Sequence, residues 1–253
     1  MSVADSKQVM IITGGSRGIG AAVARQAAVQ GFHVVINYAQ RSDDANALAE
    51  ELRSSGHQAV AIQGDVAEEA DVVRLFEKTR NNFGPVTVLV NNAGISGGFS
   101  RVEGVSAQTV SDVMGVNVVG AFLCCREAIR QMSTNHGGNG GAIINVSSRA
   151  SQYGGAGEWV HYAASKGAMD TLTLGLSREV AGEGIRVNAV APGFVDTDLH
   201  ASAGDPNRAS RLAQSTPIGR PATAGEIADV VLWLAGEASS YVTGAIVAAA
   251  GGR

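Results

Sequence analysis

Tyr162 and Lys166 stand four residues apart near the start of a helical stretch, which puts both side chains on one face, one turn apart. A tyrosine with a pKa of ~10 is a poor acid–base catalyst at neutral pH, and a nearby ammonium lowers that value. Carbonyl reduction needs a hydride at carbon and a proton at oxygen, and a Tyr–Lys pair supplies the second. The spacing alone carries little weight. Lysine usage carries more: among 19 basic residues only Lys7, Lys78 and Lys166 are lysines. The chain meets its ordinary need for positive charge with arginine, so a lysine inside the apolar stretch Tyr162–Met169 invites a chemical explanation.

A second group of residues suits phosphate. An apolar run leads straight into Thr13-Gly-Gly-Ser-Arg-Gly-Ile-Gly20 and then a helical pattern. Gly14, Gly18 and Gly20, with Ser16, Arg17 and Ile19 among them, let the backbone turn tightly against a pyrophosphate seated on the N–H groups of a helix start. The spacing is neither the commonest dinucleotide fingerprint nor a Walker A loop, which would place Lys-Ser/Thr after the last glycine. A plain strand-to-helix turn is the competing account, weakened by the loop's place after the first strand of a βαβ unit. The second strand ends near Tyr38, where an NAD-selective site usually carries a carboxylate. None appears before Asp43, whereas Arg17 and Arg41 are placed to flank a 2′-phosphate. The expected cofactor is NADP(H) in preference to NAD(H), with two ordinary surface arginines as the other reading.

The elements that must position these residues alternate. Strands are expected at Val9–Thr13, His33–Tyr38, Ala59–Gln63, Val86–Asn91, Ala142–Ser147, Ile185–Ala191 and Ala245–Ala248. Helices are expected near Ile19–Gln30, Asp43–Ser54, Glu68–Asn81, Ala107–Met132, Val160–Ala181 and Ala224–Gly236. Repeated strand–helix–strand units predict an α/β fold, a doubly wound parallel sheet of about seven strands with helices on both faces. No boundary divides the chain, so one domain is expected over 1–253. Thr197 to Pro221 has weak periodicity and three prolines, which suits a substrate lid.

With 253 residues, 45% hydrophobic and 17% charged, the chain can bury a large core. Its formal charge of −4 and lack of a basic block give no reason to expect nucleic acid or an anionic membrane as partner. No apolar run approaches the ~20 residues of a membrane span, and the first residues lack a signal-peptide pattern, so a cytoplasmic protein is expected. Cys124 and Cys125 are adjacent and read as small core residues; five scattered histidines offer no metal site.

Taken together, Thr13-Gly-x-x-x-Gly-x-Gly20, Asn91-Asn-Ala-Gly94, Asn117, Ser147-Ser148, Tyr162-x-x-x-Lys166 and Pro192-Gly193 stand in the order and spacing of the classical short-chain dehydrogenase/reductases. The chain resembles that family over nearly its whole length, including Ser240-Tyr-Val-Thr-Gly244. The resemblance implies a single Rossmann-like domain and hydride transfer between nicotinamide and a carbonyl or secondary alcohol. It makes Tyr162 the general acid in reduction and base in oxidation. It makes Lys166 the group that depresses the tyrosine pKa and holds the nicotinamide ribose, and Asn117 the anchor of a proton-relay water. It places Asp65 and Val66 beside the adenine. Asn91 to Gly94 (Asn91, Asn92, Ala93 and Gly94), with Pro192 and Gly193, would line the cofactor cleft, and Val195 and Thr197 would hold the carboxamide. A serine would hold the substrate oxygen. The family's serine usually stands one residue closer to the tyrosine than Ser148 does, and Ser147 is further away still, so Ser148 is preferred.

Where many relatives have aspartate before the final Gly-Gly, this chain has Ala250. The family pairs through helices corresponding to Ala107–Met132 and Val160–Ala181, which implies a homodimer or homotetramer with Met114, Val118, Phe122, Ala168, Leu172 and Leu176 near the contact. The substrate pocket would draw on Ser96–Phe99, Gln152–Trp159, Phe194 and the lid, with Glu158 and His200 reading hydroxyls. Carrier-bound 3-oxoacyl groups, sugars such as glucose and small ketones all remain open. A catalytically silent dinucleotide-binding sensor or scaffold is the alternative; such a protein is expected to lack the tyrosine, lysine or serine, and this chain has all three. An epimerase or dehydratase of the extended kind usually carries more than the roughly 60 residues that follow Pro192 here.

Overall fold

The computed structural model of the protein describes residues 8–197, 204–205 and 207–253. Seven strands form one sheet: β1 (Val9–Ile12), β2 (His33–Tyr38), β3 (Ala59–Gln63), β4 (Val88–Asn91), β5 (Gly141–Val146), β6 (Ile185–Pro192) and β7 (Ile246–Ala249). Their order is β3-β2-β1-β4-β5-β6-β7, and every pairing is parallel. Alternate residues of one strand feed opposite faces. Met10 and Ile12 join Val34, Ile36, Val90 and Ile144 in the core that faces α1 (Gly18–Val29), α2 (Ser42–Ser54) and α9 (Ala224–Ala235). Ile11 joins Val35, Leu89 and Ile143 on the other side, under α3 (Glu69–Phe83), α5 (Gly120–Met132) and α7 (Val160–Val180). Apolar residues buried on both faces are what a parallel sheet clad by helices requires. The fold is the single-domain, doubly wound Rossmann-like sheet that the element pattern predicts.

The order of strands reverses between β1 and β4, so the loops leaving their C-terminal ends diverge and open a crevice. Thr13 spans it from one bank: its hydroxyl accepts the backbone N–H groups of Asn92 and Ala93, each at 3.0 Å.

The expected helix Ala107–Met132 is broken in phase. It runs as α4 (Ala107–Met114), a π-helical turn Gly115–Val119, and α5. One extra residue in the turn swings Asn117 into the interior, where it is 1% exposed. The same run, Ala107–Met132, is long and apolar enough to cross a membrane by length and composition, with 33% of its most apolar window buried. Cys124 and Cys125 lie on its buried face, and burial pushes both thiols up, so they pack as small neutral residues. Two short helices escape the periodicity reading, α6 (Ala150–Tyr153) and α8 (Arg208–Ala213). The expected lid includes α8, whose Ala209 and Ala213 pack against Phe194; His200 lies outside the described residues.

Candidate active site

A cavity of about 1080 Å³ opens along the crevice at the strand ends. Its first end is backbone. Gly14 has φ +60°, and a side chain there would meet Ala93 Cα at 2.9 Å. Gly20 lies behind the cavity rather than on it, and a side chain there would come within 2.5 Å of the Gly14 carbonyl oxygen. These glycines bring the β1–α1 loop down onto β4, and Asn92 locks it by donating from Nδ2 to the carbonyls of Thr13 and Gly14, both at 2.9 Å. Asn92 lies within the run 91–94 expected at the cofactor cleft, but its clamp on the β1–α1 loop has no signal in the sequence because it acts through the side chain on a distant loop. Gly14, Ser16, Arg17, Gly18 and Ile19 face the cavity. The first turn of α1 has neither an acidic residue nor a side-chain cap, so its N–H groups are left for an anion.

Farther along, Tyr38 and Arg41 from the end of β2 and Asp65 and Val66 after β3 form one wall. Arg41 is 60% exposed and meets Asp44 at 3.6 Å, a long ion pair that solvent weakens. The Asp65 carboxylate accepts the Ala67 N–H at 3.0 Å. Val66 seats against Gly120, where an added Cβ would come within 2.7 Å of it. The glycine cradle, the uncapped helix start and the length of the cavity together fit a dinucleotide.

At the other end, α7 presents Tyr162 and Lys166, 6% and 4% exposed, beneath β5. The Lys166 Nζ donates to the Val146 carbonyl at 2.7 Å and lies 5.7 Å from the Tyr162 ring centre. Ser148 hydrogen-bonds the Tyr162 hydroxyl. Burial pushes the phenol up to about 12, the Ser148 bond opposing it. Burial brings the Lys166 amine down to about 8, with the Asp170 carboxylate opposing. The expectation of a lowered tyrosine pKa is therefore reversed in the protein alone: the amine is spent on Val146, and desolvation of the phenolate dominates.

The two serines separate clearly. Ser148 lies beside the phenol, whereas Ser147 is 2% exposed and donates to Asp170 and to the Lys166 carbonyl. Asn117 lies off the cavity. Its Oδ1 accepts the Ile95 N–H at 2.8 Å, and its Nδ2 donates to the Ile95 carbonyl and to Ser165 Oγ, both at 2.9 Å. It holds the 94–95 turn, and Gly94 fits between Asn117 and Lys166. Asn91 points away into the core, donating to Asn145 at 2.9 Å. Ala93, Gly94, Pro192, Gly193, Val195 and Thr197 line the cavity. Phe99, Trp159 and Tyr162 stack in sequence, with centroids 5.0 and 5.2 Å apart. Glu158, expected to read hydroxyls, is paired with Arg208.

The chain matches known proteins over most of its length. A family model described as short chain dehydrogenase matches residues 8–208. An uncharacterized oxidoreductase of Escherichia coli is 46% identical over 245 residues, 97% of this chain and 99% of that one. A 3-oxoacyl-(acyl-carrier-protein) reductase of Staphylococcus aureus is 37% identical over 242 residues, 96% of each chain. Among solved structures, a blue fluorescent protein from a metagenomic library, in complex with NADPH, superposes with a TM-score of 0.88 at 36% identity, covering 97% of both chains.

Proposed function

The chain belongs to the short-chain dehydrogenase family and is an oxidoreductase of the CH–OH/C=O couple, and on that footing we propose that it reduces carbonyl compounds with NADPH, Tyr162 giving the proton. One observation carries the reading: a buried neutral phenol, bonded to Ser148 and close to the Lys166 amine, shares a cavity with an uncapped glycine cradle.

Bound nicotinamide supplies the hydride to the carbonyl carbon. Ser148 and Tyr162 hold the carbonyl oxygen between two hydroxyls, and the Tyr162 proton passes to that oxygen as negative charge develops there. A phenol kept neutral by burial is in the donating form throughout the physiological range. The Lys166 ammonium adds positive charge nearby. Asn117 is a positioning residue, fixing Ile95 and Ser165 around that lysine. In the reverse direction Tyr162 must accept the proton, so oxidation rises with pH.

Gly14, Ser16, Arg17, Gly18 and Ile19 would hold the pyrophosphate, and Asp65 and Val66 would flank the adenine. Preference for NADPH rests on Arg17, Arg41 and the carboxylate-free end of β2. The preference predicts a higher kcat/KM with NADPH than with NADH on any carbonyl that turns over. Arg41→Ala should lower the NADPH value by roughly tenfold to a hundredfold and leave NADH nearly unchanged, the effect of losing one charged hydrogen bond. A preference for NADH overturns the cofactor assignment. The whole chain, 1–253, works as one domain with 197–221 as its substrate lid. It acts in the cytoplasm as a homodimer or homotetramer on a small carbonyl or alcohol substrate, with no nucleic-acid or membrane partner.

A further inference from the structure

Three arginines meet at the substrate end of the cavity, and the chemistry above uses none of them. Arg208, the first residue of α8, is 7% exposed, and its guanidinium lies 4.5 Å from the Trp159 ring centre and 5.5 Å from that of Phe99. One terminal nitrogen donates to Glu158, while its Nε is buried without a hydrogen-bond partner. Arg149 follows Ser148 directly; it donates to Gln152 and Tyr153 and also leaves Nε buried and unpartnered. The Arg253 guanidinium sits 4.8 Å from the Tyr153 ring centre and 4.4 Å from that of Phe194. All three line the cavity; Glu158 is the acidic side chain lining this end among the described residues, and it is 43% exposed.

Buried N–H donors are nearly always paired, and a buried guanidinium needs compensating negative charge. Among the described residues lining this end, three cations face one half-solvated carboxylate, and Asp205, which also acts on Arg208, is already paired with Arg211, so the described lining is short of negative charge. Trp159 sets the scale of what would supply it: its ring centre lies 5.2 Å from that of Tyr162 and 4.5 Å from the Arg208 guanidinium, so those two groups are at most about the sum of these distances apart. That span suits one ring or a short chain, and the aromatic wall favours the same.

We propose that the substrate carries a carboxylate as well as its carbonyl: the carbonyl seats at Ser148 and Tyr162, and the carboxylate at Arg208, assisted by Arg253 and Arg149. The inference rests on the carbonyl-reductase reading for the first group and on the arginines alone for the second. Planar, bidentate carboxylate recognition is what a guanidinium does best.

The test uses the two tryptophans, Trp159 and Trp233. In a Trp233→Phe background, Trp159 fluorescence reports occupancy next to Arg208. Full-length protein saturated with NADP+ is titrated with benzoate and with benzamide, which share a shape and differ in charge. Benzoate should saturate at a concentration at least tenfold lower, with the gap narrowing as salt is added. Arg208→Leu should remove the discrimination, and Arg208→Lys should restore part of it. If Arg208→Leu does not fold, Arg253→Ala should narrow the gap. Equal binding of the two probes, no saturation by benzoate, or a preference that survives loss of both Arg208 and Arg253 overturns the proposal. The titration needs no turnover. Failure of the reductase reading would show as no NADPH oxidation with any carbonyl, whereas failure of this inference would show as binding blind to charge.

Discussion

Tyr162 offers the sharpest test at the scale of single residues. Tyr162→Phe keeps the ring stacked on Trp159 and deletes the proton, so kcat should fall about 10²–10⁴-fold while NADPH still binds. Ser148→Ala should cost turnover. Ser147→Ala should cost mainly stability, since that hydroxyl is buried against Asp170; the reverse pattern in kinetics and urea melts would exchange their roles. Lys166 makes a separate prediction through linkage. Its amine titrates near 8 in the fold against 10.5 as the reference, so the unfolded chain binds more protons between those values and stability rises with pH there. Burial raises the Cys124 and Cys125 thiols from 9.0, which turns the sign above that pH, and Tyr162 acts likewise above 10.0. The lysine contribution is therefore best read between about 8 and 9, by difference from a variant that lacks it. Between pH 8 and 9 urea unfolding should show the parent gaining about 1 kcal/mol relative to Lys166→Met, the thiols of the unfolded chain offsetting the rise equally in both. Tyr162, Lys166 and Ser148 were named through the family resemblance, with helix spacing and lysine usage supporting the first two, and the structure brings all three to one cavity. Arg208 and the clamping role of Asn92 were not legible in the sequence, because each acts on a partner far along the chain.

At the scale of elements, apolar runs revealed the strands, and amphipathic patterns revealed the long helices. The phase slip at Gly115–Val119 was invisible, since a helical apolar stripe tolerates one extra residue without losing its period. The slip is what turns Asn117 toward Ile95. The start of α9, expected at Ala224, carries a capping box: Thr223 Oγ1 accepts the Glu226 N–H at 3.2 Å, and Glu226 accepts the Thr223 N–H at 2.8 Å. Thr223→Ala should lower unfolding stability by about 1 kcal/mol, measured by urea melts, with little change in turnover. The other end of α9 is capped from outside: Arg186 of β6 donates to the carbonyls of Leu234, Ala235 and Gly236 at 2.8–3.2 Å. No local signal marks that contact, since the cap and its helix are nearly 50 residues apart.

At the scale of the whole molecule, the alternation of elements implied a parallel sheet, but its order depends on β1 choosing both β2 and β4, a choice that the packed core makes. Self-association is also decided here. Of the residues expected at a subunit contact, Val118, Leu172 and Leu176 are buried inside the subunit, while Phe122 is 52% exposed with Val119 and Leu174 also on the surface. Light scattering at micromolar concentration should give a dimer or tetramer, and Phe122→Arg should shift it toward monomer; a monomeric parent protein would remove the idea. The crevice itself has a further consequence. Its two banks, the loop after β1 and the turn after β4, are joined through Thr13 and Asn92, which lie 79 residues apart in the chain. No fragment short of that seam can form the cavity, so whatever fills it binds only the assembled fold. By mass action, a ligand present at a hundred times its Kd holds such a fold by about 2.7 kcal/mol. A nucleotide seated in the crevice would thus lengthen the time each molecule survives unfolding and proteolysis.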